Sequence, residues 1–190
     1  AAAFGEYGLP RWILSDNGPP FGSSGLGGLT RLRVWLLKIG VTPVFIQPGH
    51  PEQNGRHERF HLTLKREAAS PPSPTIASQQ ARFTKFRRIY NEERPHEALG
   101  MAVPASVYEP SPREMPSKHG DFEYGDTAEV RRVRSDGTIK WNGALVFVGS
   151  AMRDELVGIE PVGVFGWHVY LGPLRLGVLV EDKNVIVPLE

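Results

Sequence analysis

The chain has 190 residues, 40% of them hydrophobic and 23% charged, with 22 Lys and Arg against 21 Asp and Glu and no cysteine. This length and composition predict one large or two small globular domains. Without cysteine there are no disulfides and no cysteine-ligated zinc, which fits a reducing compartment. No apolar run reaches membrane-spanning length and no signal-peptide pattern is seen, so we expect a cytoplasmic protein with no membrane partner.

The net charge of +1 conceals an uneven distribution along the chain. Residues 54–94 contain nine Lys and Arg against four Glu, whereas residues 153–190 contain three basic and six acidic residues. A basic block on predicted helices suits binding to a phosphate backbone. A solvated helical face has the same composition, and charge alone leaves both interpretations open.

Residues 1–46 predict helices and strands separated by turn residues. The stretch AAAFGEY is typical of the end of an amphipathic helix, which Gly8 and Pro10 terminate. A glycine-rich loop is expected at 22–28. The other predicted elements are a strand at 12–14 that ends in Ser15-Asp16-Asn17-Gly18, a helix at 29–39 closed by Gly40, and a buried strand at 41–46.

Residues 47–103 predict a helical region that begins after the loop QPGHPEQNG at 47–55. One helix is expected at about 56–69, where the run SPPSP ends it. A second helix is expected at about 75–90. Residues 104–118 carry four prolines, which indicates a linker. The apolar stripe of the second helix consists of Phe83, Phe86 and Tyr90.

After the linker, short β-rich runs alternate with Gly and Asp turns. Ser135-Asp136-Gly137 and Asn142-Gly143 are hairpin signals. This short and even spacing predicts a small closed barrel. The chain is thus expected to comprise an α/β domain at 1–103, a proline-rich linker at 104–120 and an all-β domain at 121–190. The predicted strands are 128–134, 138–141, 145–148, 156–159, 167–171, 176–180 and 185–189.

Two carboxylates occupy positions typical of a metal site. Asp16 ends a predicted strand, and the carboxyl ends of strands are where open α/β sheets bind ligands. Glu58 lies in the first turn of a predicted helix, 42 positions later. Such a pair can hold Mg²⁺ or Mn²⁺, which take oxygen ligands. On spacing alone, the simpler interpretation is favoured, in which Asp16 caps a turn and Glu58 is a solvated helix residue.

The stretch His57-Glu58-Arg59-Phe60-His61 also matches the H-E-x-x-H pattern of zinc peptidases. A zinc site would need a third ligand, for which Glu92, Glu93 and His96 are candidates. The preceding loop reaches almost to His57, which places this histidine in a fraying first turn. Lys65 and Arg66 follow closely, and basic residues raise the cost of holding a dication. A zinc peptidase is therefore the remote alternative.

Three stretches together resemble a known family. They are Ser15-Asp16-Asn17-Gly18, QPGHPEQNGRHERFH at 47–61 with Leu64-Lys65, and YNEERPHEAL at 90–99. In this order they are similar to bacterial insertion-sequence transposases with a retroviral-integrase-type (DDE) catalytic core. The resemblance covers roughly residues 1–110 and implies a partial RNase H-like core. The strand-rich remainder resembles the family's C-terminal SH3-like barrel.

The resemblance implies a metal-dependent enzyme that hydrolyses DNA at transposon ends and then joins the freed 3′-OH to target DNA. Mg²⁺ or Mn²⁺ is the implied cofactor, in a two-metal site, and DNA and further copies of the chain are the implied partners. By position, Asp16 corresponds to the second acidic ligand and Glu58 to the third. Lys65 lies two helical turns after Glu58 on the same face, where it would contact a DNA phosphate. Arg56, Arg59 and Arg66 are further DNA-binding candidates.

The family's pattern has another Asp on the first strand of its sheet. Before Asp16 this sequence has one acidic residue, Glu6, and it lies in a predicted helix. We therefore expect that the chain lacks the first strands and the first metal ligand. We also expect that this polypeptide alone does not catalyse transposition.

An alternative hypothesis is that the chain serves as a non-catalytic DNA-binding or assembly fragment. Small barrels bind nucleic acid or partner subunits, and basic residues cluster in the first two predicted barrel strands. The alternative is that Trp141 and Trp167 are core residues and the bases keep edge strands soluble. The candidate barrel residues are Arg131, Arg132, Arg134, Lys140 and Trp141.

Overall fold

A computed structural model describes residues 2–163 and 166–189. The chain divides into two compact units. We call residues 1–8 and 47–113 the helical unit, and residues 9–46 and 114–190 the strand-rich unit. No helix among the described residues is long and apolar enough to cross a membrane.

The helices and strands follow the predicted order closely. The predicted helices and strands are confirmed, with ends displaced by a few residues. In chain order they are α1 (Ala2–Tyr7), β1 (Trp12–Ser15), α2 (Arg31–Lys38), β2 (Thr42–Phe45), α3 (Gly55–Leu64), α4 (Ile76–Arg88), α5 (Pro104–Val107), β3 (Glu129–Arg132), β4 (Thr138–Trp141), β5 (Ala144–Phe147), β6 (Leu156–Val162), β7 (Gly166–Leu171), β8 (Leu174–Val180) and β9 (Val185–Pro188).

Each of the two long helices of the helical unit ends in a π-helical turn. Lys65–Ala69 prolongs α3 and Ile89–Glu93 prolongs α4. α4 begins with a capping box, in which the Thr75 side chain accepts a hydrogen bond from the Ser78 N–H at 3.1 Å. The helix therefore begins one residue after Thr75, because the cap residue itself has extended dihedral angles.

Aromatic side chains hold α3 against α4. The Phe60 ring lies 5.2 Å from the Tyr90 ring, edge to face, and 6.1 Å from the Phe86 ring, centroid to centroid. Phe86 and Tyr90 are themselves 5.5 Å apart. Phe86 is buried, whereas Phe60 and Tyr90 are half-buried. Such contacts stabilise beyond their buried area, so this cluster fixes which face of α3 is covered.

The strand-rich unit begins with a parallel pair, β1 and β2, in which Ser15 lies opposite Phe45. We expected residues 41–46 to form a buried strand. The strand is confirmed, but its burial is wrong for some of its residues. Val41 is buried, but Thr42 is exposed and Val44 is 37% exposed. The reason is that β1 and β2 form a two-stranded sheet, so alternate side chains of β2 face solvent.

The strands after residue 128 form two antiparallel sheets. The order of the larger sheet is β3-β6-β7-β8-β9, and β4 and β5 form a separate hairpin. Asn142 and Gly143 have φ values of 43° and 86° in the β4–β5 turn, which confirms that hairpin signal. Ser135-Asp136-Gly137 also forms a tight turn, with the Gly137 N–H donating to the Arg134 carbonyl at 2.9 Å.

The strands on either side of this second turn do not form a ladder with one another. β3 pairs with β6 instead, with Arg132 opposite Leu156. Within the described strands, no ladder joins β3 to β4 or β5 to β9. The sheet is therefore not closed, and the predicted SH3-like barrel is not confirmed. Pro188 in β9 lacks an N–H, which limits pairing along that edge.

One hydrophobic core lies within the strand-rich unit. Trp141, Ile139 and Leu179 are at most 1% exposed. Val34 of α2 and Leu29, just before α2, join the same cluster. Lys38 at the end of α2 pairs with Glu155 at 2.6 Å between Nζ and Oε2. The structure thus groups residues 9–46 with the C-terminal strands. The sequence-based division at 103 and 121 stays a prediction.

We predict that Phe60→Ala lowers the free energy of unfolding by about 2 kcal/mol, below the range for a fully buried Phe because the ring is half-buried. Leu62→Ala on the same helix should change it by less than about 0.5 kcal/mol, since Leu62 is 48% exposed. Urea titrations followed by circular dichroism at the helix band give both values. Equal losses for the two variants would show that the aromatic cluster does not anchor α3.

Candidate functional site

The candidate site begins at the loop that leads into α3. The Gln47 N–H donates to Gln53 Oε1 at 2.9 Å, and Gln53 Nε2 donates to Gln47 Oε1 at 3.1 Å. This reciprocal pair closes the loop, and a 3-10 turn at Pro51–Asn54 passes directly into α3. The loop residues Gln47 and Gln53 therefore define where α3 starts, three positions before Glu58.

Helix α3 has one covered and one exposed face. Phe60 contacts the α4 aromatics, and Glu58 and Lys65 are exposed. Lys65 has helical dihedral angles of −59° and −47°, so the helix continues through it. Glu58 and Lys65, seven positions apart, thus lie on the same face two turns from one another.

The arginines on and after α4 have partners, whereas the bases near α3 form no ion pair in the described part of the chain. Lys85 of α4 is also exposed and has no ion pair among the described residues. On α4, Arg87 pairs with Glu6 at 3.5 Å, Arg88 pairs with Glu93, and Arg82 donates to the Pro71 carbonyl at 2.6 Å. After α4, Arg94 pairs with Glu67. The bases of α3 and its π-helical turn are exposed, and among the described residues they form no ion pair. These bases are Arg56, Arg59, Lys65 and Arg66.

Asp16 lies directly after β1, at the carboxyl ends of the two parallel strands. Its side chain is exposed, and its Oδ1 accepts a hydrogen bond from the Gly18 N–H at 3.1 Å. Asn17 Nδ2 donates to the Ile46 carbonyl at 3.3 Å, which ties the turn to the residue after β2. The expected position of Asp16 is confirmed, and so is its role in capping the turn.

The two predicted metal ligands belong to different units of the structure. Asp16 lies in the strand-rich unit and Glu58 in the helical unit. Residues 2–163 and 166–189 contain no cluster of three His, Asp or Glu side chains that could hold a metal ion. The assignment of Asp16 and Glu58 as metal ligands therefore stays a prediction.

His57 and His61 lie one helical turn apart, with ring centroids 4.0 Å from one another. Two of the candidate third zinc ligands are engaged elsewhere. Glu93 pairs with Arg88, and His96 Nε2 lies 3.2 Å from the Tyr90 carbonyl oxygen with its ring against Tyr90. His57 and His61 thus provide two of the ligands that a zinc site needs. Glu93 and His96, which could provide the third, contact other residues instead.

The three candidate arginines at the start of the C-terminal strands are engaged with other groups of the chain. Arg131 pairs with Glu129, and its guanidinium carbon lies 5.3 Å from the Trp141 ring centroid. Arg132 donates to the Asp154 carbonyl at 2.6 Å, and Arg134 lies 3.9 Å from Asp136. Lys140 is exposed.

Trp141 is 1% exposed and faces Trp167 edge-on at 4.8 Å. It is therefore a core residue and is not available to stack on a base.

Sequence reasoning named Arg56, Arg59, Lys65 and Arg66 as DNA-binding candidates, and it counted the other bases between residues 54 and 94 only as part of a basic block. It missed the partners that divide them, which are acidic residues 5 to 81 positions away in the sequence. The pairing of Arg88 with Glu93 could have been predicted, since the two residues are five positions apart in the sequence. The pairing of Arg87 with Glu6 depends on tertiary structure and had no sequence signal.

Comparisons with known proteins agree with the sequence motifs. Residues 39–104 match the family described as Integrase core domain. The chain is 34% identical over 99 residues to the insertion element IS407 uncharacterized 31.7 kDa protein of Burkholderia multivorans, a match that covers 52% of this chain and 34% of that protein. It is 33% identical over 106 residues to the insertion element IS476 uncharacterized 39.2 kDa protein of Xanthomonas euvesicatoria, covering 55% and 28%.

A third relative is the insertion element IS136 uncharacterized protein of Agrobacterium fabrum, 33% identical over 92 residues, covering 48% of this chain and 44% of that protein. The chain thus spans less than half the length of these relatives. A chain of a simian T-cell lymphotropic virus intasome in complex with PP2A regulatory subunit B56 gamma superposes with a TM-score of 0.43 and 14% identity, covering 92% of this chain and 60% of that one. Superposition at this level does not establish a common fold.

The Integrase core domain match covers the second and third of the three motifs, at 47–65 and 90–99. Residues 39–104 of the chain match the Integrase core domain family, and about half of the chain is similar to proteins of bacterial insertion elements.

Proposed function

We propose that this chain acts in DNA transposition, with the exposed face of α3 as its DNA-contacting surface. The observation that carries the proposal is the set of four exposed bases on α3 and its π-helical turn that have no ion pair in the described part of the chain. Bases already paired with carboxylates have less to gain from a phosphate, because a partner must first be given up. Free bases gain the full attraction and release condensed counterions from the DNA.

Glu58 stands among these bases and is proposed to act in metal-dependent hydrolysis and strand transfer at transposon ends. Asp16 is proposed as a second acidic ligand. The donor chemistry fits, since both carboxylates are exposed and neither forms an ion pair within the described residues. Asp16 and Glu58 would hold Mg²⁺ or Mn²⁺, which when bound stabilises charge on the attacking and leaving oxygens of a phosphodiester.

The remaining steps are assigned to the chain's own side chains. Lys65, on the same face as Glu58, would hold a DNA phosphate two helical turns from the carboxylate. Arg59 and Arg66 would contact neighbouring phosphates and thereby set the register of the strand. These contacts carry no base information, so they position DNA without selecting its sequence.

The finer architecture of the whole protein is part of the same proposal. We propose an RNase H-like core and an SH3-like C-terminal domain, and assembly of several copies on DNA. The support is the resemblance of the three motifs and the match of residues 39–104 to the integrase core family. The second candidate function is DNA binding or assembly without catalysis. The exposed bases of α3 favour it, because they can bind DNA whether or not the chain then catalyses a reaction.

We predict that Lys65→Ala weakens binding to a fluorescein-labelled DNA duplex and lowers the salt slope of log K by about 1, the value for one lost phosphate contact. Arg88→Ala is the matched control, because it removes the same charge from an exposed base that is already paired with Glu93. Fluorescence anisotropy at several salt concentrations measures both slopes. Equal effects of the two variants would show that net charge, and not the α3 face, determines binding.

We further predict that Mn²⁺ broadens the amide resonances around residue 58 and around residue 16 in NMR spectra of the labelled chain. Glu58→Gln and Asp16→Asn should each weaken both effects, because the two carboxylates are proposed to hold the ion together. Glu92→Gln should leave both unchanged, because Glu92 is an exposed acid on the π-helical turn after α4. Broadening that is spread evenly over all exposed acids would contradict the metal assignment and favour the non-catalytic function.

A further inference from the structure

The two exposed histidines of α3 are not used by the proposed function. His57 and His61 are four positions apart on α3, with ring centroids 4.0 Å from one another and ring planes tilted by 51°. They belong to the H-E-x-x-H stretch, which lacks the third ligand of a zinc peptidase. A pair at this spacing still presents two imidazoles from one face of one helix, so its chemistry requires a separate account.

The ring nitrogens of His57 and His61 are free to bind a ligand. In the described part of the chain they form no hydrogen bond and no ion pair, and their contacts are with aromatic rings. Each neutral imidazole therefore has one nitrogen whose lone pair is available. Other histidines have a polar partner at 2.7–3.4 Å from a ring nitrogen, and these are His50 with Glu52, His96 with Tyr90 and His168 with Tyr170.

One metal ion can reach both rings with little change in the structure. Zn²⁺ binds an imidazole nitrogen at about 2.0–2.1 Å, so two nitrogens on a tetrahedral ion lie about 3.3 Å apart. Rings with centroids 4.0 Å apart reach that arrangement by rotations about χ1 and χ2. Both side chains are exposed, so solvent leaves room for these rotations.

The start of α3 is held in place, as a site built from two positions of one helix requires. The sequence placed His57 in a fraying first turn. In the structure a 3-10 turn at Pro51–Asn54 leads directly into α3, and the loop before it is closed by the glutamine pair described above. Phe60, between the two histidines, packs against Phe86 and Tyr90. The backbone that carries the pair is therefore ordered before an ion binds, which lowers the entropy lost on binding.

The neighbouring charges and the donor atoms decide which ion fits. Glu58 lies three positions before His61 and Lys65 four positions after it, so both are neighbours of the pair on the helix surface. Both are exposed, so solvent and salt screen their opposite effects on a dication. Imidazole nitrogen suits Zn²⁺, Ni²⁺ and Cu²⁺, whereas Mg²⁺ prefers oxygen. The pair therefore selects another class of ion than the one proposed for the carboxylates.

We propose that His57 and His61 together bind one divalent transition-metal ion of the zinc class at the exposed face of α3. The pair supplies two ligands and water supplies the others, since residues 2–163 and 166–189 contain no cluster of three His, Asp or Glu side chains for a metal. An ion held across one helical turn fixes the part of α3 that carries Glu58. The site does not depend on the proposed function, because it needs neither DNA nor the ion assigned to Asp16 and Glu58.

Calorimetric titration of the untagged chain with ZnCl₂, in a large excess of Mg²⁺, tests the site without any assay of activity. We expect one ion per chain, and zinc binding about tenfold weaker for His57→Ala and for His61→Ala. His119→Ala is the control, because it removes an exposed imidazole that has no second histidine within four positions of it. In ¹H–¹³C spectra the ring resonances of His57 and His61 should shift together as zinc is added.

A variant that keeps the number of histidines tests the spacing. His61→Ala combined with Leu62→His moves the second imidazole by one position, about 100° around the helix, and Leu62 is 48% exposed, so no core contact is lost. This double variant should bind zinc as weakly as His61→Ala alone. Glu58→Gln should keep the ion, so this test and the Mn²⁺ test of the carboxylates fail independently.

Three results would overturn the proposal. The first is equal zinc affinity of the double variant and the unchanged chain, which would show that the spacing is irrelevant. The second is equal weakening by His119→Ala and His57→Ala, which would show that any exposed histidine suffices. The third is displacement of zinc by Mg²⁺, or a dissociation constant above about 1 mM, which would mean that the two rings do not act together.

Discussion

The packing of Phe60 of α3 against Phe86 and Tyr90 of the α4 segment is the contact on which the candidate site depends. One face of a helix can be covered only if the opposite face is left to solvent. By burying the Phe60 side of α3, the aromatic cluster leaves Glu58 and Lys65 exposed together. The arrangement needs no special property of the acidic or basic residues themselves. It follows from the spacing of aromatic residues on two helices.

The same packing divides a basic block that looks uniform in sequence. Three arginines on and after α4 pair with acids of α1, of α3's π-helical turn and of their own segment; they are Arg87, Arg94 and Arg88. The bases around Glu58 have no such neighbours within the described residues. The net charge of a segment therefore indicates that nucleic acid is a candidate partner. The surface to which nucleic acid would bind depends on which charges remain unpaired after folding.

Local signals located most helices and strands, because proline, glycine and capping residues act within a few positions. Asn142-Gly143 produced the expected hairpin since its conformation is set locally. Strand order was not predictable in this way. Ser135-Asp136-Gly137 also turns tightly, yet β3 pairs with β6, some 25 residues away, because that pairing depends on the shared core. The exposure of Val44 and the burial of Arg33 likewise depend on contacts distant in sequence.

The most direct test of the account is to map where DNA contacts the protein. ¹H–¹⁵N spectra of the labelled chain, recorded during titration with a short DNA duplex at moderate salt, report each backbone amide separately. The account predicts that the largest shifts fall on residues 58–66, around Glu58 and Lys65 on the face of α3 opposite Phe60, with smaller shifts on α4. Shifts concentrated on β3 and β4, around Arg132 and Lys140, with α3 unchanged, would contradict it.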